Sequence, residues 1–116
     1  LFDRPAPPSW RTGPAPLLGH ACHATLPFMA QGAAMAIEDA LVLSRCLSEG
    51  TQVKTSLKRY ETLRKPRTAY VQRASKRNGR VFHARAPFTW LRNRVTPWAG
   101  QQTMDRLYGY DALAAV

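Results

Sequence analysis

Cysteine is scarce in this chain: Cys22 and Cys46 are the only two among 116 residues. Two cysteines cannot make the disulfide framework of a small secreted domain, so reduced thiols and a cytoplasmic setting are expected. Long uncharged apolar runs are also missing, which excludes a membrane-spanning helix, and no membrane partner is expected. The opening residues "LFDRPAPPSW" show neither the basic start nor the apolar middle of a secretory signal, and no methionine leads them. The chain is therefore read as a piece of something longer. His20, Cys22 and His23 are packed too tightly for the usual zinc spacing, which needs a second, separated pair, and His83 lies far along the sequence; no metal is expected. Acids are few, seven against seventeen Lys and Arg, for a net charge of +10.

What is present is enough for one modest domain, with a hydrophobic fraction of 45% that argues against disorder throughout. "LFDRP" begins with strand character and stops at Pro5, and "APPSWRTGPAP" reads as a turn or connection. Pro16 to Gly19 is a short apolar run closed by glycine, as in a buried strand with a sharp exit. Pro27 delays helix until just after it. From Gly32 to about Ser48 the pattern is helical. Ile37, Ala40, Leu41, Ser44 and Leu47 recur at steps of three or four, and Ala36, Leu43 and Cys46 carry the apolar surface round most of the helix. Such a helix is expected to be buried, and Gly50 follows its end as a terminating glycine would.

A second helix is expected from Thr55 or Ser56, either of which can cap it, with Leu57, Tyr60 and Leu63 as its first apolar stripe. Pro66 should kink or split it. Tyr70, Ala74, Val81 and Phe82 continue a stripe. Pro87 and Pro97 bracket the amphipathic piece "FTWLRNRVT", and a last helical turn precedes "YGYDALAAV". Two strands followed by two or three helices make the chain mostly α.

The charge is placed unevenly. Residues from Lys54 to Arg94 hold thirteen of the seventeen basic side chains and one acid, Glu61. Basic helices with Tyr60, Tyr70 and Trp90 interleaved could meet nucleic acid. The charges surround the helix without forming one stripe, however, so a solvated outer face, or one pairing with acids elsewhere, is the better account. No nucleic-acid partner is expected.

The stretch "LLGHACHATLPFMAQGAAMAIEDA" raises a sharper question, because its helix begins on Gly32-Ala33-Ala34, where almost nothing projects from the backbone. A helix start offers unpaired N–H groups and the positive end of the helix dipole, and small residues let an electron-rich group approach closely. The pattern of Gly19-His20-Ala21-Cys22-His23, Pro27, Ala30-Gln31-Gly32 and Glu38-Asp39-Ala40 resembles the second flavin-binding motif of the FAD-dependent aromatic hydroxylases, the salicylate and para-hydroxybenzoate hydroxylase family. The flanks "LFDRP", "LKRYETLRKPRTAYVQRASKRNGRVFH" and "LYGYD" resemble the salicylate hydroxylase-like branch.

That resemblance implies an α/β parentage, a Rossmann-like FAD/NAD(P)-binding fold. Residues 1–53 would close the FAD-binding domain and residues 54–116 would form a basic C-terminal helical region. It implies FAD as cofactor, NAD(P)H as electron donor and an aromatic small molecule as substrate. By carry-over Gly19 lies in the motif, His20 near the ribityl chain, Pro27 on the substrate side of the ring, and Gln31, Gly32, Ala33 and Ala34 at the flavin pyrimidine. His20 stands where the family has Asp, and Ala30 replaces the first glycine of a pair. The Gly-x-Gly-x-x-Gly strand–turn–helix that holds the FAD pyrophosphate is not among these residues, so the expected partner is the missing N-terminal part of the flavoprotein. No catalytic base is visible, and the isolated chain is expected to show little or no turnover. A truncated remnant without activity is the rival reading.

Overall fold

A computed structural model describes residues 4–25, 31–82, 94, 104–114 and 116. A small hairpin, β1 (Arg11–Thr12) and β2 (Ala15–Pro16), is followed by a single 3-10 turn at Gly19–Ala21 and two helices, α1 (Gly32–Glu49) and α2 (Val53–Phe82). The strands pair antiparallel, Arg11 against Pro16 and Thr12 against Ala15. Gly13 turns between them with φ +61°, the left-handed conformation that a two-residue hairpin turn demands of its first position. A further helical turn covers residues 104–108.

The hairpin lies within "APPSWRTGPAP", where only a turn is expected. The buried strand expected at Pro16 to Gly19 does not form: pairing ends at Pro16, and Leu18 is exposed. The sharp exit does occur, at Gly19, whose φ is +62°. Leu1 to Asp3, Pro27 and the piece between Pro87 and Pro97, apart from Arg94, lie outside the described residues.

α1 covers the expected span, but its buried face is not the one that the apolar count favours. Met35, Asp39, Val42 and Cys46 are buried, at steps of three and four, whereas Ile37, Leu41 and Leu47 are exposed. An apolar circumference shows only that a helix has several faces able to pack; the register of the partner helix selects one. Gly50 ends α1 with an ordinary φ of −89°, so it is not needed for a left-handed cap. Its requirement is space: a Cβ there would lie 1.9 Å from Ser56 Oγ and 2.8 Å from the Cys46 carbonyl oxygen.

α2 begins at Val53, ahead of the expected caps, and Ser56 instead bonds back to the Gln52 carbonyl from inside the first turn. It runs through Pro66 without a break, against the expected split. Pro66 is exposed, so the carbonyl left without an N–H partner faces water, and Thr68 Oγ1 bonds the carbonyls of Arg64 and Lys65 beside it.

Two apolar clusters hold these elements together. Trp10, Cys22, Val42, Cys46, Tyr60 and Ala112 form one, in which the Trp10 ring is tilted against Tyr60 at 5.9 Å between centroids. Met35, Val71 and Leu107 form the other. Each fully buried aliphatic side chain here contributes roughly 1.5–3 kcal/mol relative to exposure. The first cluster sits under the loop that begins at Gly19, and the second lies under the start of α1.

Candidate functional site

Of the residues expected to face a ligand, Gln31, Gly32, Ala33 and Ala34 open α1, and Pro27 lies outside the described residues. Gln31 precedes that helix with φ −91° and ψ −5°, no side chain caps it, and no acid occupies the first turn. Among the described residues, the positive pole of this 18-residue helix therefore has no acid in its own first turn. Gly32 and Ala34 are half-buried, Ala33 is exposed and Gln31 is buried.

His20 is brought to the same place. Its ring lies where a Gly32 side chain would be: a Cβ on Gly32 would sit 2.6 Å from His20 Cε1. Small size at Gly32 thus serves a contact with the chain's own exposed imidazole, and a group approaching that face meets His20 and Gly32 together. Gly19 plays another part. Its N–H donates to Asp39 Oδ2 at 3.0 Å, and its carbonyl accepts from the backbone N–H groups of Cys22 and His23 and from the Cys22 thiol. Both polar groups of Gly19 are used within the chain, so it shapes the loop. A Cβ there would press on Ala36 Cβ at 3.2 Å in a backbone conformation that already disfavours side chains.

Asp39 organises what lies beneath. It is fully buried and accepts from three directions: Gly19 N–H, His23 Nε2 at 2.5 Å and Arg64 Nε at 2.7 Å. Burial alone would raise its carboxyl pKa, but the hydrogen bonds from His23 and Arg64 and their charges more than offset that and hold it below the usual value. A carboxylate only accepts, so His23 donates from Nε2, and its ring stacks obliquely on Trp10 at 5.6 Å. His23 is thereby placed as a structural member of the loop.

Arg64 extends the arrangement. Its Nη2 donates to Glu38 Oε2 at 2.7 Å, and Arg67 donates to the other Glu38 oxygen at 3.1 Å and to the carbonyls of Arg106 and Leu107. Tyr110 lies under both guanidinium groups, 5.5 Å from Arg64 and 4.3 Å from Arg67. Burial alone would lower the Arg64 pKa; Asp39 and Glu38 hold it up instead. Arg64 and Arg67 belong to the basic block expected either to be solvated or to pair with acids in the missing part, and they are buried instead against Glu38 and Asp39 of this chain. The signal was available: two acids on an apolar helix need partners, and two arginines about one turn apart on the next helix supply them.

Cys22, His23 and Asp39 bring their ligand atoms within 4.8 Å of one another, the group among the described residues that could hold a metal. The arrangement does not suit one. Both Asp39 oxygens already take N–H donors, the Arg64 cation adjoins them, and the Cys22 thiol is pushed up to about 12 by burial and by the Asp39 charge. A thiol must ionise to ligate, and this one is held protonated. Cys22 is a small buried residue.

With this geometry in view, comparison with known proteins decides the family. A family described as FAD binding domain matches residues 7–75, more than half of the chain, and takes in Gly19 to His23, the start of α1, Glu38, Asp39, Arg64 and Arg67. The chain belongs to that FAD binding domain family. Its cofactor class is FAD. Among similar proteins, a 3-amino-4-hydroxybenzoate 2-monooxygenase of Streptomyces platensis is 41% identical over 117 residues, covering 97% of this chain and 29% of the relative. A 6-hydroxynicotinate 3-monooxygenase of Bordetella bronchiseptica is 41% identical over 98% of this chain and 26% of its own length. A 3-hydroxybenzoate 6-hydroxylase of Aquipseudomonas alcaligenes is 37% identical over 97% and 30%. The chain thus spans about three-tenths of the length of these relatives, and among the described residues no helix is long and apolar enough to cross a membrane.

The residues at the start of α1 fit the cofactor in chemistry. An uncapped helix N-terminus without acids, opened by small residues, suits a ring edge that gains negative charge on reduction.

Proposed function

We propose that this chain supplies the pyrimidine side of the flavin site in an FAD-dependent aromatic-ring monooxygenase. The observation that carries the reading is the uncapped, acid-free start of α1 within a segment matched by the FAD binding domain family. The names of the relatives, monooxygenases and hydroxylases of hydroxybenzoates and a hydroxynicotinate, support an aromatic small-molecule substrate; NAD(P)H as electron donor is carried over from the family resemblance.

Bound FAD supplies the redox and oxygen chemistry of ring hydroxylation. This chain's residues orient and shield. The amides of Gly32, Ala33 and Ala34 would present the positive helix pole to the ring edge and would stabilise negative charge there. Gln31 fixes the entry to the helix, with its carbonyl taking the Met35 N–H at 2.9 Å. His20, lying on Gly32, offers an imidazole where the family's Asp meets the ribityl chain. Pro27 would face the substrate side of the ring. Trp10 and Tyr60, buried behind the loop, keep water from its inner side.

The test is a hybrid enzyme in which this chain replaces the matching stretch of the Streptomyces platensis relative. The purified hybrid should retain FAD and oxidise NAD(P)H faster when an aromatic substrate is added. A folded hybrid that takes up no FAD refutes the reading, and the chain is then an inactive remnant of the family.

A further inference from the structure

The loop from Leu17 to Ala24 touches the start of α1 through His20 and is held in part from α2, outside the motif. Two polar side chains of α2 reach the loop itself, and a third, Arg64, reaches the α1 carboxylate that holds it. Tyr60 donates its hydroxyl to the Leu17 carbonyl at 3.2 Å, and Gln72 donates to the Ala24 carbonyl at 2.9 Å. Between them Arg64 donates Nε to Asp39 Oδ1 at 2.7 Å, while the other oxygen of that carboxylate receives Gly19 N–H and His23 Nε2. Arg64 is itself fixed by Glu38 and by Tyr110 beneath it, and its side chain is 0% exposed.

We propose that Arg64 is a positioning residue for the flavin: by holding the Asp39 carboxylate in one orientation, it sets the left-handed turn at Gly19 and so the place of His20 over Gly32 at the start of α1. The proposal rests on the flavin reading above. Its physical content is a relay of three fixed contacts. Arg64 orients Asp39 through a charge-assisted bond. Asp39 then holds both ends of the Gly19–His23 turn, and that turn presents His20. A guanidinium at this point does what an ammonium cannot, since Nε and Nη2 diverge in a rigid fork and bind Asp39 and Glu38 at once.

Two measurements test it. In the 116-residue chain, the Gly19 amide proton, bonded to a buried carboxylate, should move in the nitrogen–proton correlation spectrum of Arg64→Met, and by less in Arg64→Lys. In the hybrid enzyme, Arg64→Met should weaken FAD binding by roughly tenfold or more, the loss typical when the residues behind a binding shell are removed. Arg64→Lys should fall between, and Arg59→Met, which removes an exposed cation paired with Glu49, should change neither readout. A purely stabilising Arg64 would lower the unfolding midpoint while folded molecules kept their FAD affinity. That result, or an unmoved Gly19 amide, overturns the proposal. Should Arg64→Met fail to fold, Arg64→Lys decides, because it keeps the charge and loses the fork; unchanged affinity then overturns it. An unsubstituted hybrid that holds no FAD refutes the functional reading instead, and the Gly19 amide still judges the relay.

Discussion

Replacing Asp39 by Asn changes almost nothing in volume and should nevertheless cost a large share of the chain's stability. The carboxylate accepts three N–H groups in a site with no solvent access. A carboxamide can keep its oxygen on Arg64 Nε, but its NH2 then faces the Gly19 N–H, donor against donor. Turned over, it opposes Arg64 Nε instead. Either way a buried donor loses its partner, and Arg64 keeps Glu38 as its remaining acid. Removing one member of a buried pair typically costs about 3–5 kcal/mol, against a total of roughly 5–15 kcal/mol for a domain of ordinary stability. The expected result is a loss of at least about 3 kcal/mol in urea unfolding followed by helical circular dichroism. The comparison is Glu49→Gln, whose partners Arg45 and Arg59 are exposed and whose loss should stay within about 1 kcal/mol. The acid limb should change as well. The Asp39 carboxyl is held below its ordinary value near 3.8, so its contribution is fully present above that value and is lost as pH falls through the lower folded pKa. Asp39→Asn should therefore lose stability at neutral pH and respond less to acid. An Asn variant within 1 kcal/mol of the parent would show that the three bonds do not hold the loop.

Two further outcomes follow from the same packing. Gly19→Ala places a side chain at φ +62° with its Cβ 3.2 Å from that of Ala36, and should lower stability by roughly 1–3 kcal/mol in the same urea assay. Cys22, with its thiol pushed up to about 12 by burial and by Asp39, should resist iodoacetamide in the folded chain and react at the ordinary rate in urea, as peptide mass spectrometry would show.

The sequence carried the motif further than it carried the packing, and the reason is physical. Spacing along one segment, from Gly19 through Gln31 to Asp39, is local information, and it placed α1 within a residue of its observed end. The choice of buried face is not local. Ile37 and Leu41 are more apolar than Asp39, yet Asp39 is buried and they are exposed, because α2 brings Arg64 to that side. A hydropathy count assigns the charged residue outward, since it cannot know that a cation waits at hydrogen-bond distance. The same blindness put Arg64 and Arg67 on an outer face. Pro66 is expected to kink or split the helix because its ring removes a donor and crowds the preceding turn, yet α2 continues through it, with Tyr60, Val71 and Ala74 buried on either side. One consequence runs against intuition about basic helices. Of the cations on α2, two are spent inside, neutralising Glu38 and Asp39, so a count of its basic side chains overstates what α2 offers to an anionic partner. The positive charge that matters at the proposed site comes from the backbone at the start of α1. In the proposed relay Arg64 acts there through Asp39, as geometry more than as charge.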